Sequence, residues 1–148
     1  MPAPQQLDRF AQAAGRHLAD SETLAAGSRL DNAVYLAGYV VECSLKAVIS
    51  HHSSVRDARQ YGHDLAALQG QALQQLRALV PHAHLKLPAS RTNGTVLEVG
   101  HPIRRYWASR RWTQQEVQAA LKRASEIYYD TVVAMVLDGD LDHEELNV

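Results

Sequence analysis

The sequence predicts an all-α domain, an antiparallel up-down bundle of four to five helices, on three observations. Ala33 to Ile49, AVYLAGYVVECSLKAVI, is an apolar run of helix length carrying one acid and one base. On either side of it, apolar residues recur at three- and four-residue spacing, the period of helices that bury one face. No strong strand pattern and no internal repeat interrupt them, so helix-on-helix packing is the architecture left. At 148 residues and 46% hydrophobic, the chain has enough apolar material for one domain, 1–148, with a sizeable core.

The first helix is predicted from Gln5 to about Ala25, where Leu7, Phe10, Ala11, Ala14 and Leu18 share a stripe and Asp8, Gln12, Arg16 and Asp20 lie outside it. Gly27 and Ser28 break the pattern. Ser28 with Asp31 reads as a capping-box variant opening the central helix, and so short a break implies a helical hairpin. The central helix is apolar nearly all round and should be enclosed by the others. At about 100° per residue, Tyr35, Tyr39, Glu42 and Lys46 share one narrow arc. This buried polar arc must satisfy its own charges, since an unpaired charge in a core is costly, and it reads either as a satisfied pair under two aromatics or as the floor of a cleft.

Residues 50–63, SHHSSVRDARQYGH, read as an exposed loop or short helix. A third helix follows from about Asp64 to Leu79, with Leu65, Leu68, Ala72, Leu73, Leu76 and Leu79 on one stripe and Pro81 stopping it. Residues 82–112 show no sustained period, and TVLEV at 95–99 reads as a short extended piece. A connection of that length is more often functional than a plain linker. The last helix opens on a full capping box, Thr113 with Glu116, and its stripe runs through Val117, Ala120, Ala124, Ile127 and Thr131 to Gly139. The tail 138–148 carries acids and no Lys or Arg, and is expected to fray or to bind a partner.

Fifteen basic and sixteen acidic residues leave a formal charge of −1, so no global field points to nucleic acid. Cys43 stands alone inside the central helix, which excludes an internal disulfide and reads as a core thiol in a reducing compartment. The start lacks a basic-then-apolar leader, and no charge-free run reaches the roughly 18–20 residues a bilayer requires. The expectation is a cytoplasmic protein without a membrane segment.

The segment AGYVVECSLKAVI resembles the A-x-E-x-x-L-K-A helix of the HEPN family, the higher eukaryote and prokaryote nucleotide-binding domain. GHDLAAL at 62–68 is similar to that family's Gly-His-x-Leu helix start, and IRRYW at 103–107 to the Arg-Tyr loop of small bacterial members. The resemblance spans about residues 10–138 and implies a bundle that pairs into a homodimer. It also implies a toxin–antitoxin or defence role, either as a metal-independent ribonuclease toxin or as the partner of a small nucleotidyltransferase. Active members carry an Arg, four to six residues and a His at the start of the last helix. There Arg holds the scissile phosphate and His moves the proton of the attacking hydroxyl. Here the last helix has no His, so the motif is not evident. The spacing recurs at Arg56 with His63, Arg77 with His82 and Arg77 with His84, about as often as twelve arginines and eight histidines would produce by chance.

The densest charge feature is Arg104, Arg105, Arg110 and Arg111, interleaved with Tyr106, Trp107 and Trp112. Guanidinium groups grip phosphates in bidentate fashion and rings stack on unpaired bases, so this stretch is the expected contact for RNA or for a partner. The bland reading is that the tryptophans anchor the loop while the arginines pair with the acidic tail or a partner's acids, which makes the chain a purely structural dimeric helical bundle. A displaced ribonuclease site would draw on Arg104 or Arg105 with His101 or His63. No cofactor is expected. No metal is expected either, because His51-His52 and His82 with His84 lack a Cys or carboxylate at ligand spacing.

Overall fold

The computed structural model describes residues 8–79 and 92–146, the side chains of Leu73 and of 75–79 excepted. Helix α1 is Phe10–Ala26, α2 Leu30–His52, α3 Val55–Arg59 and α4 Leu65–Leu79. Helix α5 is Gln114–Tyr128, continuing through a π-helical turn, Tyr129–Val133, into a last α-helical turn, Ala134–Leu137. Among the described residues there is no strand.

Helix α2 is the axis. It packs against α1, α3, α4 and α5, and fourteen of its residues are buried, from Ala33 to Ile49. Val34, Ala37, Val40, Val41 and Ile49 are wholly enclosed, each large aliphatic contributing about 1.5–3 kcal/mol by leaving water. Ala11, Ala14 and Leu18 of α1 pack into the same core, as do Leu68 of α4 and Val117, Ala120, Ala124 and Ile127 of α5. With 23 residues and a mean hydropathy of 1.4 over its most apolar window, α2 is long and apolar enough to cross a membrane. That window is 78% buried by the other helices, the condition of a bundle's core helix.

Four local expectations change. Helix α2 begins at Leu30 with no side-chain cap, and Ser28 instead takes a left-handed turn with φ +60. Asp31 is freed from capping and accepts the backbone N–H groups of Arg110 at 2.9 Å and Arg111 at 3.4 Å. The 95–99 piece forms turns, closed by Thr95 and Glu98 N–H bonds to the carbonyls of Thr92 and Thr95. The start of the tail folds back: Leu141 and Leu146 pack on the core, and Glu145 meets Arg9 of α1 at 3.4 Å. The physical reason is that the tail's two leucines find apolar cover its acids do not exclude. Within residues 50–63 the short-helix alternative holds: α2 runs on to His52, and α3 follows at Val55–Arg59, its N-cap Ser54 accepting the Asp57 N–H.

The capping box at Thr113 forms as its sequence dictates, with the Glu116 N–H on the Thr113 hydroxyl at 3.1 Å and the Thr113 N–H on the Glu116 carboxylate at 3.1 Å. It fixes where the 92–112 segment ends. Residues Gln5 to Leu7, Pro81, His82, His84 and the side chains of Leu73, Leu76, Arg77 and Leu79 lie outside what is described, and with them the two Arg77 spacings.

Candidate functional site

Halfway along α2 the apolar surface is interrupted by Glu42, 4% exposed, one turn before Lys46, 6% exposed. A carboxylate so placed must be satisfied from several sides. Its Oε2 accepts from Lys46 Nζ at 3.2 Å. Its Oε1 takes two imidazoles, His63 Nδ1 at 2.7 Å and His101 Nε2 at 3.0 Å, from positions 21 and 59 residues away. His63 stands just before α4, and His101 at the foot of the Arg-rich segment. The sequence brought both under suspicion singly; the structure brings them together on one oxygen.

The protonation states follow from electrostatics. Burial alone would raise the Glu42 carboxyl, but hydrogen bonds from His101 and His63 and the charge of Lys46 outweigh it and hold it at about 2. An ionised carboxylate only accepts, so each ring turns an N–H toward it. Burial pushes His101 down, against the pull of Glu42, and the nearby Arg104 charge adds to the depression, so its ring is neutral. The His101 side chain is 2% exposed while that of His63 is 52% exposed. Only His63 can offer its outer nitrogen to an incoming molecule.

Aromatic groups wall the cluster. The Tyr39 ring meets His101 edge-on at 4.6 Å, His63 at 5.9 Å and Tyr35 at 5.3 Å, and burial lifts its hydroxyl to about 12. Two clefts open beside it. One, of about 410 Å³, has Arg16, His17, Tyr39 and Glu42 in its lining; the other, of about 270 Å³, is lined by His63, Asp64, Leu97, Gly100 and His101 among others. Gly38 faces the same place from α2: a Cβ there would collide with Nδ1 of His101 and stand 3.0 Å from Nη2 of Arg104. The polar arc of Tyr35, Tyr39, Glu42 and Lys46 is therefore one wall of a built cluster, not an isolated ion pair.

The arginines divide. Arg104 is buried, its Nη1 donating to the carbonyls of Val96 at 2.7 Å and Val99 at 3.2 Å, and burial lowers its guanidinium to about 10. As a group that grips a ligand from solvent, or as the phosphate-holding half of a catalytic pair, Arg104 is misplaced: its work is to tie its own segment's carbonyls. Nε and Nη2 of Arg104 and Nδ1 of His101 are buried without a partner among the described residues. Arg105, Arg110 and Arg111 are exposed. Arg105 lies over the Tyr106 ring at 4.7 Å, and Arg111 stands against both Trp107 at 4.8 Å and Trp112 at 5.4 Å. Tyr106 is 74% exposed, with Val99 and Ile103 exposed beside it in sequence. Trp112 packs on the core and Trp107 closes over Gly100, whose φ of +91 suits only glycine.

Missed in the sequence were the convergence on Glu42, the inward turn of Arg104 and the anchoring role of Asp31. A lone acid in the middle of an apolar helix was the available signal for the first. No curated protein and no solved structure matches the chain. The HEPN domain model matches residues 7–132, across every helix that frames the Glu42 cluster, and the chain belongs to the HEPN family.

Proposed function

We propose that this HEPN domain serves a prokaryotic toxin–antitoxin or defence system by holding single-stranded RNA along its exposed arginines, as a homodimer in the cytoplasm. The observation that carries the reading is the placing of exposed Arg105 beside the Tyr106 ring and of exposed Arg111 beside those of Trp107 and Trp112. Guanidinium groups take a phosphate in bidentate fashion, and Arg105 and Arg111 are exposed to do so beside aromatic rings. Exposed Tyr106 adds a surface on which an unpaired base can stack. The test is anisotropy of a labelled single-stranded RNA against the purified chain and its Arg105→Ala/Arg111→Ala variant. Affinity should fall at least tenfold, and the slope of log K against log salt should shrink by roughly 0.7 per lost phosphate contact. Unchanged affinity and slope would refute it. Binding only to a nucleotidyltransferase partner would put that protein in place of RNA.

A second reading, a metal-independent endoribonuclease, is favoured by the Glu42–His63 pair. Glu42 accepts the Nδ1–H hydrogen bond and orients the ring, which leaves Nε2 as a base on a half-exposed side chain. Arg104 is buried, so an exposed arginine such as Arg16 or Arg105 would hold the phosphate. Cleavage of mixed RNA that disappears on His63→Ala supports this reading; intact RNA throughout removes it.

A further inference from the structure

We propose that Glu42, His63 and His101 form a binding site for one divalent cation of the Zn²⁺ class. One potential ligand atom from each of the three residues lies within 4.8 Å of the others, and Oε1 of Glu42 stands 2.7 Å from Nδ1 of His63 and 3.0 Å from Nε2 of His101. One carboxylate with two imidazoles is a donor set suited to zinc and its first-row neighbours, and three protein ligands leave a further position for water or a substrate atom.

The geometry needs little change to accept the ion. Metal–ligand bonds of about 2.0–2.2 Å place tetrahedral ligands roughly 3.3 Å apart. The two nitrogens now stand 2.7 and 3.0 Å from Oε1, so each imidazole has to retreat by a few tenths of an ångström. His63 is half exposed at a helix start, where such a shift meets little resistance. Lys46 on Oε2 already orients the carboxylate, the service an outer hydrogen bond gives a metal ligand.

Proton accounting is also simple. To hold the ion, each ring has to carry its proton on the outer nitrogen in place of the one facing Glu42. Solvent receives the new N–H of His63. Nδ1 of His101 has no partner among the described residues, so the present Nε2–H tautomer is held by Glu42 alone, the group the ion would take over. The opposing effects are the buried Nδ1–H without an acceptor and the charges of Lys46 and Arg104, which set this site well below an all-carboxylate or thiolate cage in affinity.

The ligands come from α2, from the start of α4 and from the foot of the Arg-rich segment, so an ion would clamp that segment to the bundle. It would also hold the Nδ1 of His63 and leave Nε2 protonated, which removes His63 as a base. The cation site therefore stands apart from the ribonuclease reading and would silence it.

The experiment titrates Zn²⁺ by calorimetry, and Co²⁺ by visible absorption, into the chelator-stripped full chain. One ion per chain is expected, with the intense visible bands of four-coordinate cobalt and a rise in melting temperature. His63→Ala, which removes a half-exposed ring and leaves the core intact, should weaken binding at least tenfold, as should Glu42→Gln. His51→Ala/His52→Ala and His82→Ala/His84→Ala should keep it. Wild-type binding no tighter than that of His63→Ala, or binding lost only with His51 and His52 or with His82 and His84, would overturn the proposal.

Discussion

Replacing Glu42 with glutamine keeps the shape of the side chain and removes its charge, which tests what the carboxylate contributes. Holding the carboxyl at about 2 rather than its ordinary 4.5 corresponds to about 3 kcal/mol of folding free energy. Lys46 adds a second consequence, because removing one partner of a buried pair costs about 3–5 kcal/mol by leaving the other charge uncompensated. Glu42→Gln should therefore lose about 3–5 kcal/mol at pH 7 in urea unfolding. A carboxyl depressed by folding stabilises fully above its unfolded pKa and loses that contribution as pH falls toward the folded one. The gap between wild type and variant should accordingly be constant from pH 7 to about 5, narrow below 4.5, and be smaller by about 2 kcal/mol near pH 3. Adding Lys46→Met to Glu42→Gln should recover part of the loss, since an apolar isostere of a buried pair is often neutral. A loss below about 1 kcal/mol, or a gap that stays level from pH 7 to pH 3, would refute the reasoning.

The neighbouring groups give further outcomes. Gly38→Ala gains up to about 1 kcal/mol of helix propensity but drives a methyl into His101, and a net loss of about 1–3 kcal/mol is expected on thermal melting, where a gain would contradict the contact. Asp31→Ala removes the acceptor of the Arg110 and Arg111 N–H groups, and amide exchange at those two residues should accelerate at least tenfold while α5 is unaffected. Val40→Asp places an unpaired charge at a wholly buried position, and circular dichroism should show an unfolded chain at 25 °C. Burial depresses His17, His52 and His101 alike, so stability should decline as pH falls below about 6.5, before the Glu42 contribution begins to go.

What could be read in the residues was what depends on local period. The apolar run of α2, the stripe of α1 and the Thr113–Glu116 box each carry their structure within a few neighbours, and the HEPN resemblance rested on those same segments. The polar arc was legible as an arc. Its partners were not, because His63 and His101 reach Glu42 through tertiary packing that no spacing encodes. Arg104 and Arg105 are neighbours of identical chemistry, yet one points into carbonyls and the other over Tyr106, because in a short helical turn adjacent residues leave on different sides. Asp31 suited a capping box by type and spacing. The left-handed turn at Ser28 closed that option, and the carboxylate served the chain eighty residues on.

Two of these contacts together describe a strap. Asp31 fastens the residues just before α5, and Glu42 fastens His101, eleven positions further along the same helix, about 16 Å at the rise of an α-helix. A segment pinned at two points so far apart lies along the helix and cannot swivel. Unfasten either and it becomes a hinged flap on the other, carrying Arg105, Tyr106 and Trp107 with it while the helices beneath stay assembled. Opening at the Asp31 end would need solvent competition for two exposed amides and the lifting of half-buried Trp112, whereas opening at the Glu42 end would strip a buried carboxylate of a partner. The two ends therefore differ in their ease of release, and the mobile edge of the arginine face should be the one nearest α5.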